Sequence, residues 1–256
     1  MKKRGLVLAL CATTIFCYAS CISTNLEVRK KQAEASRHLG EAHLQQGNYP
    51  MALREFLKAQ KLYNNDHFLH DDLGLTYMAK GRLDLAIEHF KKALEISPNY
   101  SPGRNNLGTA YLNQKEWDAA IKHFKEAAED LLYATPQFPL SNLGWAYYNK
   151  GEYELAIKYY QEALEVDAKF INALRGLGLT YIAMGKASEA VATLESGVKQ
   201  YPRIPQLRFD LGEAYTLSRD YKKAFDAFQK VAELVPDTPL ARKAQIEAQK
   251  IKAFRY

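Results

Sequence analysis

The dipeptide Leu-Gly recurs along this chain at a nearly constant interval, and that period limits what the chain can fold into. It stands at Leu39-Gly40, Leu73-Gly74, Leu107-Gly108, Leu143-Gly144, Leu177-Gly178 and Leu211-Gly212. The spacing is 34 residues throughout, with one interval of 36. Three residues after each glycine comes His43, Tyr77, Tyr111, Tyr147, Tyr181 or Tyr215. Twelve after it comes Ala52, Ala86, Ala120, Ala156, Ala190 or Ala224, and four further on Phe56, Phe90, Phe124, Tyr160, Leu194 or Phe228.

These positions predict two antiparallel helices per unit. Gly and Ala remove bulk where helices cross, so the axes can approach closely. Leu, Tyr and Phe at helical spacing fill the space beside those crossings. A Gly inside a helix costs about 1 kcal/mol relative to Ala, so keeping one in all six units argues that packing needs the room. A Gly or a polar residue turns the chain between the helices, as at Gly47, Gly81, Gly151 and Gly185. One unit cannot bury its own apolar face, so the six must stack. This is the tetratricopeptide pattern. The expected fold is all-α, a right-handed superhelical solenoid of six repeats with a C-terminal capping helix.

The repeats are expected at about 33–66, 67–100, 101–136, 137–170, 171–204 and 205–238. Beyond them, Pro239 suits a first helical turn capped by Asp237 or Thr238. Ala241, Ala244, Ala248 and Ile251 recur at helical spacing to cover the last repeat. Before the repeats, Thr24-x-x-Glu27 has the form of a capping box, which would start the first helix near residue 25.

The N-terminus reads as an address. Lys2, Lys3 and Arg4 precede an apolar stretch from Gly5 to Phe16 and then small residues, the pattern of a secretory signal over residues 1–20. All three cysteines, Cys11, Cys17 and Cys21, lie there, so the remainder has no disulfide framework. Tyr18-Ala19-Ser20-Cys21 resembles the lipobox of bacterial lipoproteins, with Tyr18 where Leu is usual. The resemblance implies a lipidated Cys21, a short tether over 21–32 and a membrane anchor. Ile22 follows the cysteine; in that class this implies transfer to the outer membrane, facing the periplasm. The plainer alternative is a cleaved signal with an incidental Cys21.

Charge gives little toward a partner. The net charge is +6, and three of those cations belong to the signal. The tail after Pro239 carries Arg242, Lys243, Lys250, Lys252 and Arg255 against Glu247, which leaves a near-neutral body and a basic end. No basic stripe marks a nucleic-acid binder. Nor does the sequence carry an enzyme's chemistry: it has no nucleophile motif, and Gly176-Leu177-Gly178 lies inside a repeat helix and follows no strand. No catalytic residue, cofactor, metal or small-molecule substrate is expected. His67 and His70 with Asp71 could hold a metal, but no third and fourth ligand accompany them, and a helix-start surface is the expected role.

In the tetratricopeptide fold, first-helix positions line a concave face. Here they are Phe68, Leu75 and Met78; Leu112 and Asn113; Phe138, Trp145, Tyr148 and Asn149; Arg175, Leu179 and Ile182; then Phe209 and Glu213. Some of these could instead pack on neighbouring helices. Trp145 and Tyr148 fall outside the repeated core positions, and aromatics in a groove are typical partner anchors. Asn105, Asn106, Asn142 and Arg175 are present, but not the cationic set with which some tetratricopeptide clamps grip a peptide carboxylate.

The chain as a whole resembles the type IV pilus biogenesis and stability lipoproteins, the outer-membrane pilotin class. The resemblance is carried by the lipobox, the tether, the six repeats and the run from Arg104-Asn105-Asn106-Leu107-Gly108 through Ala127-Ala128-Glu129-Asp130-Leu131-Leu132-Tyr133 to Asn142-Leu143-Gly144. There the third unit is lengthened by two residues. The implied role is to bind the secretin, the outer-membrane pilus pore, and help it localise and assemble. The alternatives are a scaffold lipoprotein of another envelope assembly, for outer-membrane protein insertion or peptidoglycan remodelling, and an enzyme accessory domain.

Overall fold

The protein is described by a computed structural model over residues 25–254. The signal, Cys21 and the Thr24 capping position lie outside the described residues. Among the described residues the ordered elements are all helical, and no helix is long and apolar enough to cross a membrane. The chain divides into two compact units, residues 1–110 and 111–256.

Unit 1 contains α1 (25–45), α2 (Tyr49–Leu62), α3 (His67–Ala79), α4 (Leu83–Ile96) and most of α5 (Ser101–Asn113). Residues 25–32, expected as tether, are already helical. Unit 2 holds the end of α5, then α6 (Trp117–Ala128), α7 (Gln137–Lys150), α8 (Tyr153–Val166) and α9 (Ile171–Ala183). It continues with α10 (Ala187–Gln200), α11 (Pro205–Leu217), α12 (Tyr221–Leu234) and α13 (Pro239–Ile251). A 3-10 turn, Lys252–Phe254, follows.

The repeated residues do the packing expected of them. Phe56, Phe90, Phe124, Tyr160, Leu194 and Phe228 are wholly buried. A Cβ placed on Gly74 would stand 2.4 Å from the Phe90 ring. One on Gly144 would stand 2.7 Å from Tyr160, and one on Gly212 2.6 Å from Phe228. The glycine in the first helix of each hairpin is therefore the seat for the large residue in the second. The repeated alanines from Ala52 to Ala224 are fully buried, which sets the close approach.

Local signals agree with the packing. Asp66 caps α3 by accepting from the Phe68 amide at 2.9 Å, and Thr238 caps α13 by accepting from Ala241 at 3.2 Å. On α13, Ala241, Ala244, Ala248 and Ile251 face inward and close the core around Phe228 and Val231. Gly47, Gly81, Gly151 and Gly185 turn the chain with positive φ near 71–77°. The hairpins without a turn glycine put Lys115 and Arg219 there, both at φ 63°. A side chain in that region costs about 1–2 kcal/mol, against less than 1 kcal/mol of chain entropy for Gly. Arg219→Gly is accordingly expected to raise the melting temperature slightly; a lowered one would show that the arginine stem contributes more than the strain.

The lengthened connection between α6 and α7 is an ordered turn. Asp130 accepts from the Leu132 amide at 2.9 Å through its side chain and from Tyr133 at 3.0 Å through its carbonyl. It holds Leu131 and Leu132 outward, 99% and 93% exposed.

Candidate functional site

In unit 2 the first helices α7, α9 and α11 lie side by side. Leu143, Leu177 and Leu211 are buried in the core, while Trp145, two positions after Leu143, is exposed. Trp145 and Tyr148, three apart on α7, stack at 5.1 Å with ring planes 9° apart. Trp145 is 37% exposed, and Tyr148 is half-buried against the core. The Asn149 amide donates to the Trp145 carbonyl at 2.7 Å. Phe138 meets Phe170 edge-on at 5.0 Å and is otherwise exposed.

Next to the stack, Arg175 Nε donates to Asp210 Oδ2 at 2.6 Å, and Gln206 donates to the other carboxylate oxygen at 3.0 Å. Burial raises the Asp210 pKa, while Arg175 pulls it back. The Tyr148 phenol is also raised, first by burial and then by neighbouring Tyr153 and Glu213. A cavity of about 200 Å3 opens between α7 and α9, lined by Asn142, Trp145, Tyr160, Arg175, Gly176 and Leu179 among others.

The expected face is thus brought together in part. Trp145, Arg175 and Leu179 share that cavity, with Tyr148 stacked beside it. Leu112 and Ile182 are half-buried against the core, and Asn113 is exposed. Phe209 does not line a groove: it is 1% exposed and packs on Phe228 at 5.3 Å. It stands three before Gly212, on the face of α11 that seats Phe228. Glu213 is half-exposed and paired with Lys243 at 3.7 Å.

In unit 1, α3 carries Phe68, exposed beside Tyr100 and 5.4 Å from the Arg37 guanidinium, with Leu75 and Met78 half-exposed. Arg37 also pairs with Glu41, Asp66 and Asp72. Burial, aided by the Glu41 charge, pushes Asp72 up to about 8 against the pull of Arg37. Asp71 accepts from the Asn106 amide at 3.0 Å and from the Tyr100 hydroxyl at 3.2 Å; burial holds its pKa at about 6. The His67, His70 and Asp71 grouping is dispersed. His70 Nδ1 lies 3.0 Å from His89 Nδ1 and its Nε2 3.0 Å from the Asn64 carbonyl, while His67 stacks on Phe68. Burial lowers both His70 and His89, the latter to about 4. Among the described residues no group of three or more His, Cys, Asp or Glu could hold a metal ion.

A second groove, of about 900 Å3, was not anticipated from the sequence. It lies on α1 and α2, with an apolar floor of Ala35, Leu39, Leu57 and Leu62 and a rim of Arg54, Lys58 and Lys61. Leu39 is 48% exposed although its five counterparts are buried. The signal was present: a first repeat shows the surface that later repeats bury against a preceding one.

Family models described as tetratricopeptide repeat match residues 31–99 and 67–132, 139–170, and 175–239. No curated protein matches the chain significantly in sequence. Among solved structures, PilF of Pseudomonas aeruginosa is 20% identical over 86% of this chain and 99% of its own, with a TM-score of 0.73. PilW, a widely conserved type IV pilus biogenesis factor, is 18% identical over 83% and 98%, with a TM-score of 0.78. YrrB, a tetratricopeptide repeat protein with an unusual peptide-binding site, is 21% identical over 75% and 97%, with a TM-score of 0.54. At these identities the likeness is one of fold.

Proposed function

We propose that this chain, which belongs to the tetratricopeptide repeat proteins, is a non-catalytic binding module, anchored through a lipidated Cys21 to the periplasmic face of the outer membrane, that binds the type IV pilus secretin and helps it localise and assemble. The observation that carries the binding part is the Trp145–Tyr148 stack, a large aromatic surface outside the repeated core. The pilus assignment is supported by fold likeness to PilF and PilW over nearly their whole lengths, together with the Asp130 turn in the lengthened connection. The test is removal of the protein from the producing cell. Secretin multimers and surface pili should both fall sharply; normal multimers would end the pilus reading and leave a scaffold of another envelope assembly.

The anchor has its own test. Cys21→Ser should release the mature chain from outer-membrane vesicles into the soluble periplasmic fraction, because the described helices offer no span to hold it. A variant that still floats with the vesicles would place the anchor elsewhere.

A further inference from the structure

The first helices of successive repeats are joined by a polar ladder. The residue two before a Leu-Gly leucine pairs with the residue one before the next repeat's leucine. In unit 1 the rungs are Arg37 with Asp72 and Asp71 with Asn106; in unit 2, Arg175 with Asp210. The same step from Ser141 arrives at Gly176, which has no side chain to pair. That missing rung opens the cavity between α7 and α9.

Tyr160 reaches into the vacated space from below. A Cβ on Gly176 would stand 2.2 Å from the Tyr160 ring and 2.5 Å from its hydroxyl oxygen. Every other repeat has Phe or Leu at this position, so only here does the floor carry a hydrogen-bonding group. Tyr160 is 1% exposed as a residue, and what the fold leaves open of it faces this cavity. A hydroxyl at the wall of a cavity offers a hydrogen bond to whatever side chain enters it.

We propose that this cavity receives one tyrosine side chain presented by a partner protein, with the Tyr160 hydroxyl on the guest hydroxyl; this deepens the protein-binding reading and rests on it. The volume, about 200 Å3, holds a single side chain. Trp145 and Leu179 supply an apolar, partly aromatic wall that suits a ring. The guest should be neutral, because Asp210 already offsets the Arg175 charge and Glu213 lies nearby.

The test uses the mature chain and three small probes: p-cresol (the tyrosine side chain), toluene and 4-methylbenzoate. Binding is followed by the shifts of the Trp145 indole N–H and the Gly176 amide. p-Cresol should bind about tenfold tighter than toluene, the worth of one hydrogen bond. It should also bind tighter than 4-methylbenzoate. Tyr160→Phe should erase the preference over toluene while leaving the melting temperature unchanged or raised. The proposal is overturned by equal affinities on the parent, by a preference for the carboxylate, by a preference that survives Tyr160→Phe, or by a lowered melting temperature in that variant. These outcomes are read on the isolated chain, so they stand apart from success or failure of secretin assembly.

Discussion

Trp145→Ala is expected to weaken partner binding by about 2 kcal/mol or more, roughly 30-fold, the range of a central aromatic anchor. The indole supplies the exposed half of the stack with Tyr148 and one wall of the Gly176 cavity. Truncation removes both at once. Folding should change little, because Leu143, Gly144 and Tyr147 remain buried beneath it. The stack itself is worth about 0.5–1.5 kcal/mol, and part of that is lost in the free chain. Two measurements decide the matter: a melting curve and the titration of the purified variant against solubilised secretin. In cells, fewer secretin multimers and fewer pili should follow. A variant that melts like the parent and binds normally would remove this face from the mechanism. One that unfolds would place Trp145 in the core instead.

Gly144→Leu should destabilise the chain by about 1–3 kcal/mol, the usual cost of overpacking, and the structure puts it at the upper end. The first added carbon already meets the Tyr160 ring at 2.7 Å. That ring lies in the buried core with Leu143, Ile157 and Ala163, which limits how far it can retreat. Replacing a helical Gly returns about 1 kcal/mol of propensity, which the clash must first overcome. A branched side chain of four carbons does so. Thermal melting reads the result directly, and an unchanged transition would show that the close approach of α7 to α8 is not what the glycine provides.

Much of the hairpin architecture was legible in the sequence because it repeats. A single Leu-Gly pair says little, but six copies in phase with Tyr, Ala and Phe fix which side of each helix faces inward, and the helix boundaries follow within a few residues. The cap of α13 was readable for the same reason: Thr238-Pro239 is a local signal whose meaning does not depend on distant residues. Positions off the repeated pattern were harder. Phe209 stands near the outward positions in phase, yet it turns into the core against Phe228, since one residue of helical rotation separates a wall from a floor. Leu39 fits the core pattern and is half-exposed, since burial of that slot requires a preceding neighbour. Leu131 and Leu132 look like core leucines by composition and stand fully in solvent, held there by the Asp130 turn.

The sequence by itself determined that the chain forms helical hairpins, where each turns, and which residues seat into which, because those are contacts between positions a fixed distance apart in a periodic chain. Only the tertiary structure decided how the polar side chains of successive first helices meet. Arg175 pairs with Asp210, Asp71 turns to Asn106, and Gly176 leaves a gap that the Tyr160 hydroxyl enters. These depend on the rotation and separation of adjacent helices, which the period alone does not specify. A hydrogen bond is made or lost with a small change in either, so the fold could be read from the pattern and the site could not.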